Sequence, residues 1–83
     1  QKGISPNGDG YNDYFDLVGQ DVRLLEIFNR YGRTVYKKKN YSNEWYGQTD
    51  KGDELPDGTY YYVMERGSGE TLTGWIYINR EQN

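Results

Sequence analysis

The chain has 83 residues with no cysteine and no histidine, and its formal net charge is −3. So short a chain has room for one small core, so we predict a single domain over residues 1–83, without disulfides. The lack of thiolate and imidazole groups excludes soft metal sites and cysteine nucleophiles, and leaves oxygen-ligand chemistry of the kind that Ca²⁺ prefers.

The charge balance and hydropathy of the chain also limit the classes of partner that it is expected to bind. With ten basic against thirteen acidic residues, the chain lacks the basic excess that is typical of nucleic-acid binding. Its one basic run, Lys37 to Lys39, is typical of a solvated strand end. No apolar run approaches the roughly 20 residues of a membrane helix. We therefore expect a monomer with no nucleic-acid partner and no membrane insertion.

The predicted elements are all strands. Short runs of Tyr, Thr, Val and Ile are divided by Gly, Asn and Asp, which favours an all-β domain. The predicted strands are residues 14–18, 22–28, 33–37, 59–66 and 71–79, with a short strand or extended segment at 44–46. This spacing predicts a small Ig-like antiparallel β-sandwich of about six to seven strands.

The alternation of apolar and polar residues along these strands predicts which side chains form the core. Apolar residues occupy both faces of strand 22–28, which predicts a strand near the middle of the structure. Trp45 is expected to fill the core rather than to bind a ligand. The predicted core residues are Leu17, Leu25, Ile27, Val35, Trp45, Val63, Ile76 and Ile78.

The loop that precedes the first predicted strand carries a candidate calcium site. Side-chain oxygens of Asn7, Asp9 and Asp13, with the carbonyl of Tyr11, are spaced to wrap a hard cation around Gly residues. Asp16 is a weaker candidate because it lies within a predicted strand. The alternative is a set of Asx turns, in which these side chains accept hydrogen bonds from nearby backbone N–H groups. No cofactor is required in either case.

A second acidic loop contains Asp50, Asp53 and Asp57. Spaced acids beside Gly and Pro are ordinary loop chemistry, and nothing fixes these three on rigid elements. The chain also has no nucleophile-elbow, phosphate-loop or metalloprotease motif. We therefore expect no enzymatic activity.

Five motifs in order along the chain resemble a known family. The hairpin sequence LEIFNRYGRTVY, residues 25–36, is similar to the core motif of gliding-motility-associated C-terminal domains, which are type B sorting domains of the Bacteroidetes type IX secretion system. The other motifs are ISPNGDGYND at residues 4–13, WYG at 45–47, LPDGTYYYV at 55–63 and GWIYI at 74–78.

The resemblance implies a non-catalytic C-terminal sorting signal. Such a domain would direct a large cargo protein through the type IX machinery, across the outer membrane, to the cell surface or the medium. The family implies an outer-membrane partner of the PorP type. Two alternatives share the predicted sandwich: a calcium-dependent carbohydrate-binding or adhesion module, and a purely structural Ig-like spacer.

Aromatic residues on the last two strands are the candidate contact surface. Alternation sets Trp75 and Tyr77 opposite the apolar face of the final strand, and Tyr61 opposite Tyr60 and Tyr62. Outward-facing rings of this kind could dock a partner or a sugar. They could equally be cross-strand pairs on a solvated sheet face, which is the commoner arrangement.

Overall fold

Five strands form one mixed sheet in the order β1-β5-β4-β2-β3. The structure is a computed structural model that describes residues 3–6 and 13–80. The strands are β1 (Gly3–Ile4), β2 (Val22–Phe28), β3 (Thr34–Lys39), β4 (Gly58–Arg66) and β5 (Thr71–Ile78). The described residues include no helix long and apolar enough to cross a membrane.

Two hairpins build most of the sheet. β2 pairs antiparallel with both β3 and β4, and β4 pairs antiparallel with β5. The short β1 runs parallel to β5, with Gly3 aligned to Tyr77 and Ile4 to Ile78. This parallel pair departs from the all-antiparallel expectation, because the chain segment around residue 3 lies along the end of the last strand.

One face of the sheet packs the core. Leu25, Ile27, Ile76 and Ile78 are completely buried on this face. The layer that covers them consists of irregular segments rather than strands, and these segments supply the buried side chains of Phe15, Tyr41, Trp45 and Leu55. The all-β prediction is confirmed, and the two layers are consistent with a small β-sandwich.

Trp45 is the centre of this core, as its sequence context predicts. Its side chain is fully buried, and its ring lies 6.4 Å from Phe15, 6.2 Å from Tyr36 and 6.3 Å from Tyr60 between centroids. The indole Nε1–H donates to the Gln48 carbonyl at 2.8 Å, so its one polar atom is satisfied inside the core.

Most of the predicted core is confirmed. Besides the fully buried residues named above, Leu17 and Val35 are partly buried and pack against the core cluster. The prediction for Val63 is wrong. Tyr60 and Met64 are buried on the core face of β4, so alternation turns Val63 toward the opposite face, where it pairs with Glu26 of β2.

The predicted strand at residues 14–18 is also wrong. Phe15 does anchor this segment in the core, but its N–H donates to the Trp45 carbonyl at 2.8 Å rather than to a ladder of strands. The N–H of Leu17 donates to the Asn43 side chain at 2.7 Å, and the hydroxyl of Tyr41 donates to the Phe15 carbonyl at 2.6 Å. These bonds to loop atoms replace strand pairing.

Candidate docking face

The sheet face opposite the core is open and rich in rings. We call it the aromatic face, and its members are Phe28, Tyr61, Val63, Trp75 and Tyr77. The strand register brings them together, because Phe28 is paired with Tyr61, and Tyr61 with Trp75. The three residues predicted from the sequence as partner contacts, which are Tyr61, Trp75 and Tyr77, therefore lie on one surface.

The rings of the aromatic face hold one another in place. Tyr61 and Trp75 make an edge-to-face contact with centroids 5.0 Å apart, and Phe28 lies 6.3 Å from Tyr61. Trp75 nevertheless remains 59% exposed and Tyr77 48% exposed. Ordered rings that keep half of their surface in water can bind a partner with little further loss of side-chain entropy.

A shallow depression of about 410 Å³ opens between the aromatic face and the β2–β3 turn. Its lining combines rings from the sheet with polar groups from the turn. The residues that line it are Phe28, Asn29, Arg30, Gly32, Tyr61, Val63 and Trp75. The depression is wide open, so it suits a protruding side chain from another macromolecule better than an enclosed small molecule.

The β2–β3 turn is fixed by its own hydrogen bonds. The side-chain oxygen of Asn29 accepts from the N–H groups of Tyr31, at 2.9 Å, and Arg33, at 3.0 Å. Gly32 adopts a φ of 82°, in the left-handed region that glycine enters without strain. The guanidinium carbon of Arg30 lies 4.9 Å from the Tyr31 ring centroid. The motif around Asn29 and Gly32 thus presents Arg30 beside the depression.

A second glycine, Gly74, leaves space on the core face of the sheet for a ring of β4. Gly74 is paired with Tyr62, and a Cβ atom at residue 74 would stand 2.7 Å from the Tyr62 hydroxyl oxygen. The Tyr62 ring in turn packs edge-on against Phe15, with centroids 5.0 Å apart. The absence of a side chain at Gly74 therefore leaves room for the Tyr62 ring on the core face of the sheet.

Most of the predicted calcium site lies outside the described residues. Asn7, Asp9 and Tyr11 fall there, whereas Asp13 is described and partly buried. One oxygen of Asp16 accepts from the N–H of Val18 at 3.0 Å, which is the Asx-turn geometry. Across the part of the chain that is described, no three acidic side chains group closely enough to hold a metal. Calcium binding stays a prediction.

The second acidic loop has a structural role. One Asp50 oxygen accepts from the N–H of Lys37 at 2.9 Å. Asp57 accepts from the Arg80 N–H at 2.9 Å and from its guanidinium at 3.1 Å. The same guanidinium donates to the carbonyls of Leu55 and Gly47. Arg80 thus links the end of β5 to this loop through hydrogen bonds. No pattern in the sequence predicted this role.

Burial changes the titration of three core tyrosines. Desolvation raises the pKa of Tyr36 to about 12, and nearby Glu44 and Asp50 add to the rise. Burial also raises the pKa of Tyr41 and of Tyr60. All three hydroxyls stay neutral at physiological pH.

Residues 1–78 match the CHU_C type IX secretion signal domain family. The chain belongs to this family. No curated protein matches the chain. Since the match covers nearly the whole chain, the type IX secretion signal domain is the folded unit described above, and its function is to act as a C-terminal sorting signal. Such a signal directs protein across the outer membrane, to the surface or the medium.

Proposed function

We propose that the type IX machinery reads this signal domain as a folded monomer, through the aromatic face. The observation that carries the proposal is the open surface formed by Tyr61, Trp75 and Tyr77, two of which are about half exposed. Large contiguous apolar patches on the surface of a small protein often mark interaction sites. Aromatic residues are also enriched at the energetic centres of protein interfaces.

The partner in this proposal is an outer-membrane protein of the PorP type. It would receive the domain together with its cargo and commit both to export to the cell surface or the medium. The domain would contribute shape and surface alone, without catalysis and without a required cofactor. A signal distributed over a folded surface agrees with a family match that spans residues 1–78. That match gives no support to the alternative of calcium-dependent carbohydrate binding.

The experiment is an export assay in a host with a working type IX system. A periplasmic reporter is fused to residues 1–83, and reporter outside the cell is measured with and without the domain. We expect extracellular reporter only with the domain, and only when the type IX system is intact. A reporter that stays in the periplasm despite a folded domain would contradict the sorting role of this chain.

Paired substitutions then test the surface. Trp75→Ala and Tyr77→Ala each remove an exposed ring from the aromatic face, and Tyr46→Ala removes an exposed ring outside it. We expect the first two to lower export strongly and Tyr46→Ala to leave it near the wild-type level. Equal export by all three variants would show that the aromatic face is not read.

A further inference from the structure

Charge is divided unevenly between two parts of the chain. Residues 22–39, which form the β2–β3 hairpin, contain six of the ten basic residues and one of the thirteen acidic residues. The hairpin therefore carries a formal charge of +5, and the remaining residues carry −8. A domain with a net charge of −3 thus has a strongly basic region, and such a region creates a local potential that the net charge conceals.

Four of the hairpin's basic residues have no carboxylate partner within the described residues. They are Arg30, Arg33, Lys37 and Lys39, and none of them takes part in a salt bridge there. The exceptions have other partners: Lys38 lies 3.5 Å from Glu44, and Arg23 donates to the Gly67 carbonyl.

The single acid of the hairpin does not neutralise its neighbours. Glu26 is paired with Lys37 across the strands, yet its carboxylate accepts the hydroxyl of Thr34 at 2.6 Å and makes no salt bridge with that lysine. The Lys37 ammonium therefore makes no salt bridge within the described residues, and the nearby Asp50 carboxylate is bound to its backbone N–H instead.

Three of these cations border the aromatic face. Lys37 is paired with Glu26 and Lys39 with Leu24, which alternate with the core residues of β2, so both lysines lie on the side of the sheet that Phe28 occupies. Arg30 lines the depression beside Trp75. The same side of the sheet also carries Glu26 and Glu65. Three cations and two carboxylates thus form a charged rim along one side of the apolar centre, which is the usual anatomy of a protein interface.

We propose that this combined surface docks onto a protein patch with an apolar centre and a row of carboxylates. The carboxylates would meet Arg30, Lys37 and Lys39, while the apolar centre would cover Trp75 and Tyr61. The inference rests on the proposed function and specifies the chemistry of the receptor. A protein is favoured over an anionic membrane because the rings are packed into the sheet beside the cations rather than projecting as a separate wedge.

The same charge pattern should orient the domain as it approaches its receptor. The loop layer on the core side of the sheet, which we call the acidic loop layer, includes the exposed residues Asp53 and Glu54, next to buried Leu55. Asp50 of the same loop lies at the β3 edge, where it accepts from the Lys37 N–H. An acidic receptor repels that layer and attracts the hairpin, so the domain approaches with the correct face forward. Charges on an interface rim act mainly on the association rate and on its salt dependence.

The test compares two charge reversals of equal size. Lys39→Glu lies on the hairpin, and Lys51→Glu lies in the acidic loop layer; both positions are exposed. Binding of the purified domain is measured against outer-membrane fragments from a secretion-competent host and against protein-free vesicles of the same lipids, at low and high salt. Export of the reporter fusion is measured for the same variants, and melting curves confirm that each is folded.

We expect Lys39→Glu to slow association with the membrane fragments roughly fivefold at low salt, and Lys51→Glu to leave it unchanged or slightly faster. The difference should shrink in high salt. Equal behaviour of the two variants would overturn the inference, as would equal binding to the protein-free vesicles. If the wild-type domain exports the reporter and Lys39→Glu does so equally well, the inference fails while the sorting function stands.

Discussion

The two faces of the sheet differ in what surrounds their side chains. On the core face, Ile27 and Ile76 are completely buried under the irregular layer. On the aromatic face, Trp75 and Tyr77 keep about half of their surface in water. The strands that carry both faces are the same, so the difference lies in alternate residues. If the aromatic face is the surface that the machinery reads, as proposed, stability and recognition depend on opposite sides of one sheet and can be changed separately.

The strongest test of the core face is Ile27→Ala. Deleting a fully buried side chain of this size should cost about 2–5 kcal/mol of unfolding free energy. Val63→Ala, on the partly solvated aromatic face, should cost clearly less. Denaturant unfolding of the two variants measures both values. A larger loss for Val63→Ala would mean that the assignment of faces is reversed.

Alkaline pH should also weaken the core face. Because the pKa of Tyr36 is raised from 10.0 to about 12 in the folded state, the unfolded chain loses this proton first. The contribution of Tyr36 to stability is then full below pH 10 and falls by about 1.4 kcal/mol per pH unit between pH 10 and 12.

The variant Tyr36→Phe isolates this contribution. It removes one ionisation, so the decline in unfolding free energy over the same pH range should be shallower than in the wild type. Urea unfolding at several pH values, with tyrosinate absorbance as a monitor, gives the slopes. Identical slopes would show that Tyr36 titrates normally in the folded domain.

The β2–β3 turn borders the depression beside the aromatic face, and Gly32→Val should disrupt this turn. A β-branched residue at a φ of 82° is strained by about 1–3 kcal/mol, and the change should also displace Arg30 and reduce export. Gly32→Asn is the matched control, since asparagine tolerates the left-handed region better than valine. Melting curves and export are measured together. Equal stability of the two variants would contradict the turn geometry.

The smallest expected effect is that of calcium on the loop at residues 7–13. A weak site at a calcium concentration equal to its Kd would add about 0.4 kcal/mol to stability. Melting curves in calcium and in chelator test this for the wild type and for Asp9→Asn with Asp13→Asn. If calcium shifts neither protein, the Asx-turn interpretation replaces the calcium site.

The strands at the centre of the sheet were predictable from the sequence. Alternating apolar residues and turn signals gave the bounds of β2 as observed, and gave β5 to within one residue. The same alternation set Trp75 and Tyr77 opposite Ile76 and Ile78, which the structure confirms. In these strands the local pattern and the tertiary environment agree, because one face is consistently apolar.

The remaining features depend on contacts between distant segments. Every residue from Tyr60 to Met64 is apolar or aromatic, so alternation could not decide which side Val63 takes. The backbone of Phe15 makes hydrogen bonds to the Trp45 carbonyl and the Tyr41 hydroxyl, which hold its side chain in the core. The sequence of such an extended segment cannot be distinguished from that of a strand. Arg80 gave no signal, because its partners come from a loop more than twenty residues away.

The most direct test of separable faces compares one variant on each face. Trp75→Ala loses the buried part of its ring and a ring pair worth about 0.5–1.5 kcal/mol beyond that burial, and Ile27→Ala loses a fully buried side chain worth about 2–5 kcal/mol. The measurement is reporter export below the melting temperature of both variants, alongside those melting temperatures. We predict that Ile27→Ala is exported like the wild type despite its lower melting temperature and that Trp75→Ala is retained in the periplasm. Export that simply follows melting temperature in both variants would contradict the account.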